Sequence, residues 1–129
     1  MDIFYREPFH AVLAVKEEND PELVKRNFAV ILNEDGTVKR VIEKPKSVNS
    51  TLKGCGLYLF DLSIFDAIRR TPRTAMRDEY EITDSIQILI NDGYRVGTAS
   101  IIEEDVNLTY PRDLWECNLR QLKKVDQKK

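Results

Sequence analysis

The stretch 33-NEDGTVKRVIEKP-45 carries the clearest structural signal in the chain. Its first four residues, Asn33-Glu34-Asp35-Gly36, have a turn composition, because Asp-Gly supplies a residue that tolerates positive φ. Apolar runs flank it at 29–32 and 38–42, which predicts a β-hairpin. The second strand delivers Glu43 and Lys44, and Pro45 ends it because proline cannot donate to a ladder. Strand periodicity sends neighbouring side chains to opposite sides, so Glu43 and Lys44 are expected to diverge. An acid and a base at a strand end can reach a sugar hydroxyl and a phosphate. They can equally be a solvated pair before a proline.

Working outward, 129 residues leave room for one domain spanning 1–129. A net charge of −2, with the bases scattered among acids, gives no electrostatic case for nucleic acid. The only cationic cluster, Lys123-Lys124 with Lys128-Lys129, reads as a frayed helix end. Cys55 and Cys117 are too far apart for a metal knuckle and are expected as small buried hydrophobes. No signal peptide and no apolar run of membrane length is present, so a reducing cytoplasm and no membrane are the expectation. The lone His10 offers neither a triad nor a His-rich metal site.

Residues 1–8 show no periodicity and look like a cut end, whereas 10–15 (HAVLAV) suit a buried strand. Asn19-Asp20-Pro21 can open a short helical turn through 22–26. After the hairpin, 46–54 form a polar connection long enough to be a working loop. The continuous apolarity of 55–60 (CGLYLF) predicts a central strand covered on both faces. Ser63 is the expected N-cap of a helix over 64–70 that buries Ile64, Phe65 and Ile68, and Pro72 follows it. Residues 74–80 read as an irregular polar connection.

A second helix is expected from Thr83 or Asp84, with Asp84 and Gln87 as a capping box. Ile86, Leu89 and Ile90 form its inner stripe, and Gly93 stands where a left-handed terminator belongs. A strand over 94–102 should point Val96 and Ile102 inward. Pro111 starts the last helix, whose Trp115, Leu119, Leu122 and Val125 are expected to be core. The order β, hairpin, β, α, α, β, α describes an α/β domain. No Gly-rich phosphate loop, nucleophile elbow or zinc spacing is present. Pattern alone therefore supports an α/β binder of small polar ligands.

Four segments taken together carry a resemblance: the hairpin with EKP (43–45), GLYLFD (56–61), RDEYEITDSI (77–86) and VNLTYPRDLWECN (106–118). In order and spacing, from about 11 to 122, they resemble the C-terminal half of the sugar-1-phosphate nucleotidylyltransferases, the sugar-nucleotide pyrophosphorylases. That resemblance implies the sugar-phosphate-binding half of a nucleotide-diphospho-sugar transferase fold, a mixed sheet with flanking helices, truncated at its N-terminus. It implies transfer of a nucleotidyl group from a nucleoside triphosphate to a sugar 1-phosphate, with Mg²⁺ and basic side chains absorbing charge. By the same resemblance Lys44 is the catalytic cation on the sugar phosphate, and Glu43, Gly56, Tyr58 and Glu79 line the sugar pocket. Asn107 falls at a metal-ligand position and would offer Mg²⁺ an amide oxygen.

Three positions depart from the family pattern. Tyr-Gly-Val reads Phe28-Ala29-Val30, Ser-Asn reads Ser50-Thr51, and the metal aspartate with Gly-Thr-Pro reads Asn107 with Thr109-Tyr110-Pro111. The acetylglucosamine-1-phosphate uridylyltransferase branch also carries asparagine there. Without a nucleotide-binding half the chain is expected to be inactive alone, and a sheet cut through its middle should associate into homo-oligomers. The alternatives are a non-catalytic regulatory or assembly subunit of the same fold, or a stand-alone interaction module.

Overall fold

The computed structural model describes residues 9–47, 50–75 and 77–127, and these contain five strands and four helices. The hairpin forms as expected: β2 (Phe28–Leu32) and β3 (Val38–Glu43) run antiparallel, with Gly36 at φ +86° in the turn. Asp35 pins that turn, its carboxylate accepting from the Thr37 N–H at 2.9 Å and the Thr37 hydroxyl at 2.6 Å. With β1 (Ala11–Glu17), β4 (Leu52–Phe60) and β5 (Val96–Ala99), the sheet has the order β3-β2-β4-β1-β5. Only the β1–β5 pair is parallel, so the sheet is mixed and β4 lies at its centre.

Between the strands stand α1 (Pro21–Lys25), α2 (Ser63–Arg69) and α3 (Ile82–Asn91), and α4 (Pro111–Gln127) follows β5. Leu13, Val15, Phe28, Val30, Val38 and Val41 present one face of the sheet to Ile64, Ala67, Ile86 and Leu89. That layer of α2 and α3 on the sheet is the core, and burial of those side chains is its main stabilisation. Gln87 ties the layers at the edge by accepting the Val41 N–H at 3.1 Å. Gly93, at φ +91°, ends α3: its N–H bonds Ile90 O and the Tyr94 N–H bonds Leu89 O, the double bond of a Schellman ending.

Several expectations are corrected. The 94–102 strand is only Val96–Ala99, because Tyr94 is spent closing α3 and Ile102 lies in the loop beyond. Strand β4 is not covered on both faces: Gly56 and Leu57 are exposed, since β4 bulges there. Ser63 is not a cap but the first helical residue; Asp61 takes its N–H at 2.9 Å and its hydroxyl as well. Ile64 and Ala67 are buried, whereas Phe65 and Ile68 face solvent. Asp84 and Gln87 form no capping box, because α3 begins at Ile82 and Gln87 serves β3 instead.

The largest correction concerns α4. Pro111 begins it as expected, and Asp113 secures its start by accepting the N–H groups of Thr109 and Tyr110. Yet none of its residues is buried, and Trp115 is 68% exposed. Helical spacing shows that a stripe can face something apolar; it does not make this sheet the partner. Cys55 and Cys117 are half-buried free thiols rather than core residues. The readings of residues 1–8 and of Lys128-Lys129 lie outside the described residues, as do Val48 and Asn49 of the 46–54 connection and Met76 of the 74–80 connection.

Candidate functional site

At one end of the sheet the exit of β3, the bulge of β4 and the segment entering α3 enclose a cleft of about 340 Å³. Glu43, Lys44, Gly56, Tyr58 and Glu79 all line it, with Arg26, Arg77 and Glu81. A more open depression of about 930 Å³ beside α1 and β2 contains none of these eight. Glu43 and Lys44 do not diverge. The strand stops at Glu43, and Lys44 stands at φ +41°, a left-handed backbone that turns it out of the alternation. Its N–H donates to Asn27 O at 2.8 Å, so the turn is tied to the neighbouring strand entry. A side chain held in this sparsely populated region marks a place where geometry outweighs local comfort.

Gly56 owes its place to a different device. Leu13 of β1 pairs with Tyr58 and Val15 with Gly54, so three residues of β4 stand opposite Ala14 alone. Gly56 takes φ +72° in this bulge, and no atom lies within 4 Å of where its Cβ would be. It is therefore open space beside the cleft, not a packing contact. Gly54 is the packing glycine: a Cβ there would meet the Phe28 ring at 1.8 Å. Phe28 in turn stacks on Tyr58, with ring centroids 6.1 Å apart, and fixes that wall. Ala29 is buried in the sheet and does not line the cleft.

The acid side is half-buried and close-set. Burial pushes the Glu43 carboxyl above its ordinary range, and the nearby Glu81 charge pushes it the same way. The Thr83 hydroxyl, 3.3 Å from Glu43 Oε2, works against that rise, as do Lys44 and Arg77. Tyr58 is likewise raised, by burial first and then by Glu43. Glu81, its side chain 14% exposed, is held 3.6 Å from Arg77. Three acids and three bases thus share one cleft, a mixture suited to a neutral polyol carrying an anionic group.

Asn107 lies elsewhere. It borders a second hollow of about 280 Å³ together with Lys16, Arg26, Lys53, Asp105 and Asp113, and Arg26 borders both hollows. The Asp105 carboxylate is taken by Lys53, and Asp113 is engaged by backbone N–H groups. Among the described residues no group of three His, Cys, Asp or Glu could hold a metal ion. Asn107 would offer a metal ion one neutral amide oxygen, in a hollow that the cations Lys16, Arg26, Lys53 and Arg120 also line.

Sequence reading missed Arg26, Arg77 and Glu81. The last two sit within RDEYEITD, where the alternation of Arg77, Glu79 and Glu81 was the available signal. Arg26, just past a five-residue helix, had none.

A family model described as nucleotidyl transferase matches residues 7–122. A low-salt glycan biosynthesis nucleotidyltransferase of Haloferax volcanii is 32% identical over 111 residues, 85% of this chain and 30% of that protein. A UTP–glucose-1-phosphate uridylyltransferase of the same organism is 33% identical over 81% of this chain and 42% of its own length. Among solved structures, a UDP-glucose pyrophosphorylase complexed with UDP-glucose superposes with a TM-score of 0.77 at 20% identity, over 95% of this chain and 47% of that one. The chain thus spans well under half the length of the two curated relatives described here. With a mixed α/β sheet of that fold and a family match over nearly all of its length, the chain belongs to the nucleotidyl transferase family.

Proposed function

We propose that this chain supplies the sugar-phosphate half of an enzyme that joins a sugar 1-phosphate to a nucleoside triphosphate and releases pyrophosphate. The observation that carries this reading is the meeting of Glu43, Lys44, Gly56, Tyr58 and Glu79 around one cleft. Glu43 and Glu79 accept hydrogen bonds from sugar hydroxyls, and Tyr58 walls the ring against the bulge that Gly56 keeps open. The exposed Lys44 ammonium, the catalytic residue of this reading, neutralises the sugar phosphate. Arg26 and Arg77 supply further positive charge at the rims of the cleft.

In the transfer, a sugar-phosphate oxygen forms a bond to the α-phosphorus while the bond to the bridging oxygen breaks and pyrophosphate leaves. These residues position the attacking oxygen and hold its charge; none is required to form a covalent bond. Mg²⁺, if bound, would stabilise charge on the triphosphate, and Asn107 is the residue of this chain that would offer it an oxygen. The nucleotide-binding elements lie outside this chain in this reading, so the isolated 129 residues make no sugar nucleotide. We further assign the protein to the cytoplasm, with Cys55 and Cys117 as free thiols, acting as a homo-oligomer without nucleic-acid or membrane partners. No helix among the described residues is long and apolar enough to cross a membrane.

A second reading, a regulatory or assembly subunit of the same fold, is favoured by one observation: the neutral Asn107 beside an Asp105 already committed to Lys53. Calorimetric titration with a panel of hexose 1-phosphates and nucleoside triphosphates tests the proposal. The expected result is sugar-phosphate binding that is weakened by Glu43→Ala and Lys44→Ala, with no tight triphosphate binding. Binding of no hexose 1-phosphate, or pyrophosphate release by the chain alone, would overturn it.

A further inference from the structure

We infer that Arg26 is a further catalytic residue of the transfer, its guanidinium spanning the sugar phosphate and the phosphoryl group which that phosphate attacks; this rests on the transfer reading above. Among the described residues, Arg26 alone borders both the cleft at Glu43 and the hollow at Asn107. Most of the other cations at the two sites are spent on carboxylates. Arg77 stands 3.6 Å from Glu81, Lys16 and Lys53 stand 3.8 and 2.7 Å from Asp105, and Arg120 stands 2.7 Å from both Glu104 and Glu116. Arg26 and Lys44 have no such partner among the described residues.

The backbone sets these two cations at neighbouring points. Asn27, the residue after Arg26, accepts the Lys44 N–H at 2.8 Å. The end of α1 fixes the same place: the Arg26 N–H donates to Glu22 O at 3.3 Å, the Asn27 N–H to Val24 O at 3.1 Å, and Asn27 Nδ2 to Leu23 O at 2.8 Å. Like charges built out from a fixed backbone, neither of them neutralised, make a seat for an anion. On the other side the Arg26 charge is felt by Asp113, although the Tyr110 N–H is what chiefly holds that carboxyl below its ordinary range. A basic residue at the end of α1 also suits the helix dipole, but Lys25 already fills that role in the last turn.

The chemistry asks for a cation at this junction. The sugar-phosphate oxygen forms its bond to the α-phosphorus, and the bridging oxygen leaves with pyrophosphate, carrying the electron pair of the broken bond. Two anionic groups must approach each other for that bond to form. An ammonium such as Lys44 is a point charge, whereas a guanidinium is a rigid planar fork of N–H donors that can bond both groups at once. Arg26 offsets their repulsion and stays protonated throughout, so no proton passes through it.

A nucleoside-diphosphate sugar holds the two phosphates already joined, and so reaches both sides of Arg26. The test is calorimetric titration of the 129-residue chain with glucose 1-phosphate, N-acetylglucosamine 1-phosphate and the UDP-linked forms of both sugars. Arg26→Ala should weaken the UDP-sugar ~10-fold more than the sugar 1-phosphate, the scale of one charge-assisted contact. Lys44→Ala should weaken both alike. Arg26→Lys keeps the charge at the end of α1 but loses the fork, and should recover only part of the loss. Arg26 is exposed, so urea unfolding of both its variants should match that of the unsubstituted chain. Equal weakening of the two ligands by Arg26→Ala, or weakening of neither, would overturn the inference, and so would full recovery in Arg26→Lys. Each of those results leaves the transfer reading standing. An unsubstituted chain that binds none of the four ligands would overturn that reading, and the inference with it.

Discussion

Thr83 donates its hydroxyl to Glu43 Oε2 at 3.3 Å, which ties the first turn of α3 to the end of β3 across the cleft. Thr83 is 2% exposed, so this bond is made by a group that has no water to turn to. Its effect on the carboxyl is outweighed by burial and the Glu81 charge, and the Glu43 pKa stays raised. A raised carboxyl pKa means that the folded state holds the proton more tightly than the unfolded chain. Stability contributed this way is present below the unfolded-state pKa and is lost as pH rises through the folded one. Glu43→Gln removes that loss. Its stability relative to the parent should therefore improve from acidic to neutral pH, as read by urea unfolding at each pH. An unchanged difference across that range would remove Glu43 from the list of strained acids.

Lys44 gives a prediction in which stability and binding move in opposite directions. At φ +41° a residue with a Cβ is strained, and glycine is not. Lys44→Gly should stabilise the chain by about 1 kcal/mol. Losing the ammonium should at the same time lower turnover efficiency in an active assembly by ~10²-fold or more, the scale of one charge-stabilising contact. Lys44→Ala should lose the same activity without the gain in stability. Near-normal kinetics in both variants would return Glu43 and Lys44 to the status of a solvated pair.

What the sequence made legible follows from how local each signal is. The hairpin, the left-handed Gly93 and the Pro111 helix start depend on a few neighbouring residues and appear where expected. The divergence of Glu43 and Lys44 was misread because one left-handed residue after a strand cancels the period of two, and no sequence rule signals a left-handed lysine. The bulge at Gly56 depends on register against β1, a relation between strands far apart in the chain. Lys53 was passed over for the same reason: its meaning lies in Asp105, which only the fold brings to it. The α4 stripe was legible as apolar, but its destination was not.

That stripe makes its own prediction. Trp115, Leu119, Leu122 and Val125 leave an apolar surface on α4 that single exposed residues would not. The chain is expected to associate through it, as a dimer or larger species at high concentration. Leu122→Glu should shift sedimentation toward the monomer, and Trp115 fluorescence should move to longer wavelength as the ring becomes wetted. A monodisperse monomer in the unsubstituted chain at high concentration would refute this.

Asn107 separates the two readings of the chain most cleanly. It lines the hollow with the cations Lys16, Arg26, Lys53 and Arg120 and the acids Glu18, Asp105, Asp113 and Glu116, and its side chain brings an oxygen but no charge. A neutral donor holds Mg²⁺ less firmly than a carboxylate, so the ion should depend more on the oxygens of the triphosphate itself. In an active assembly, Asn107→Asp should therefore lower the Mg²⁺ concentration needed for half-maximal rate. Asn107→Leu keeps the volume but loses the oxygen, and turnover should be abolished. Lys53 complicates the first variant in an informative way, because a second carboxylate two residues from Asp105 can compete for the same ammonium. In a regulatory subunit none of this applies: Asn107 would only be a polar residue before the Pro111 helix, and both single substitutions would leave function unchanged. A Mg²⁺ titration of the Asn107→Asp and Asn107→Leu variants thus decides between the readings, and a fully active Asn107→Leu enzyme would take this residue out of the site.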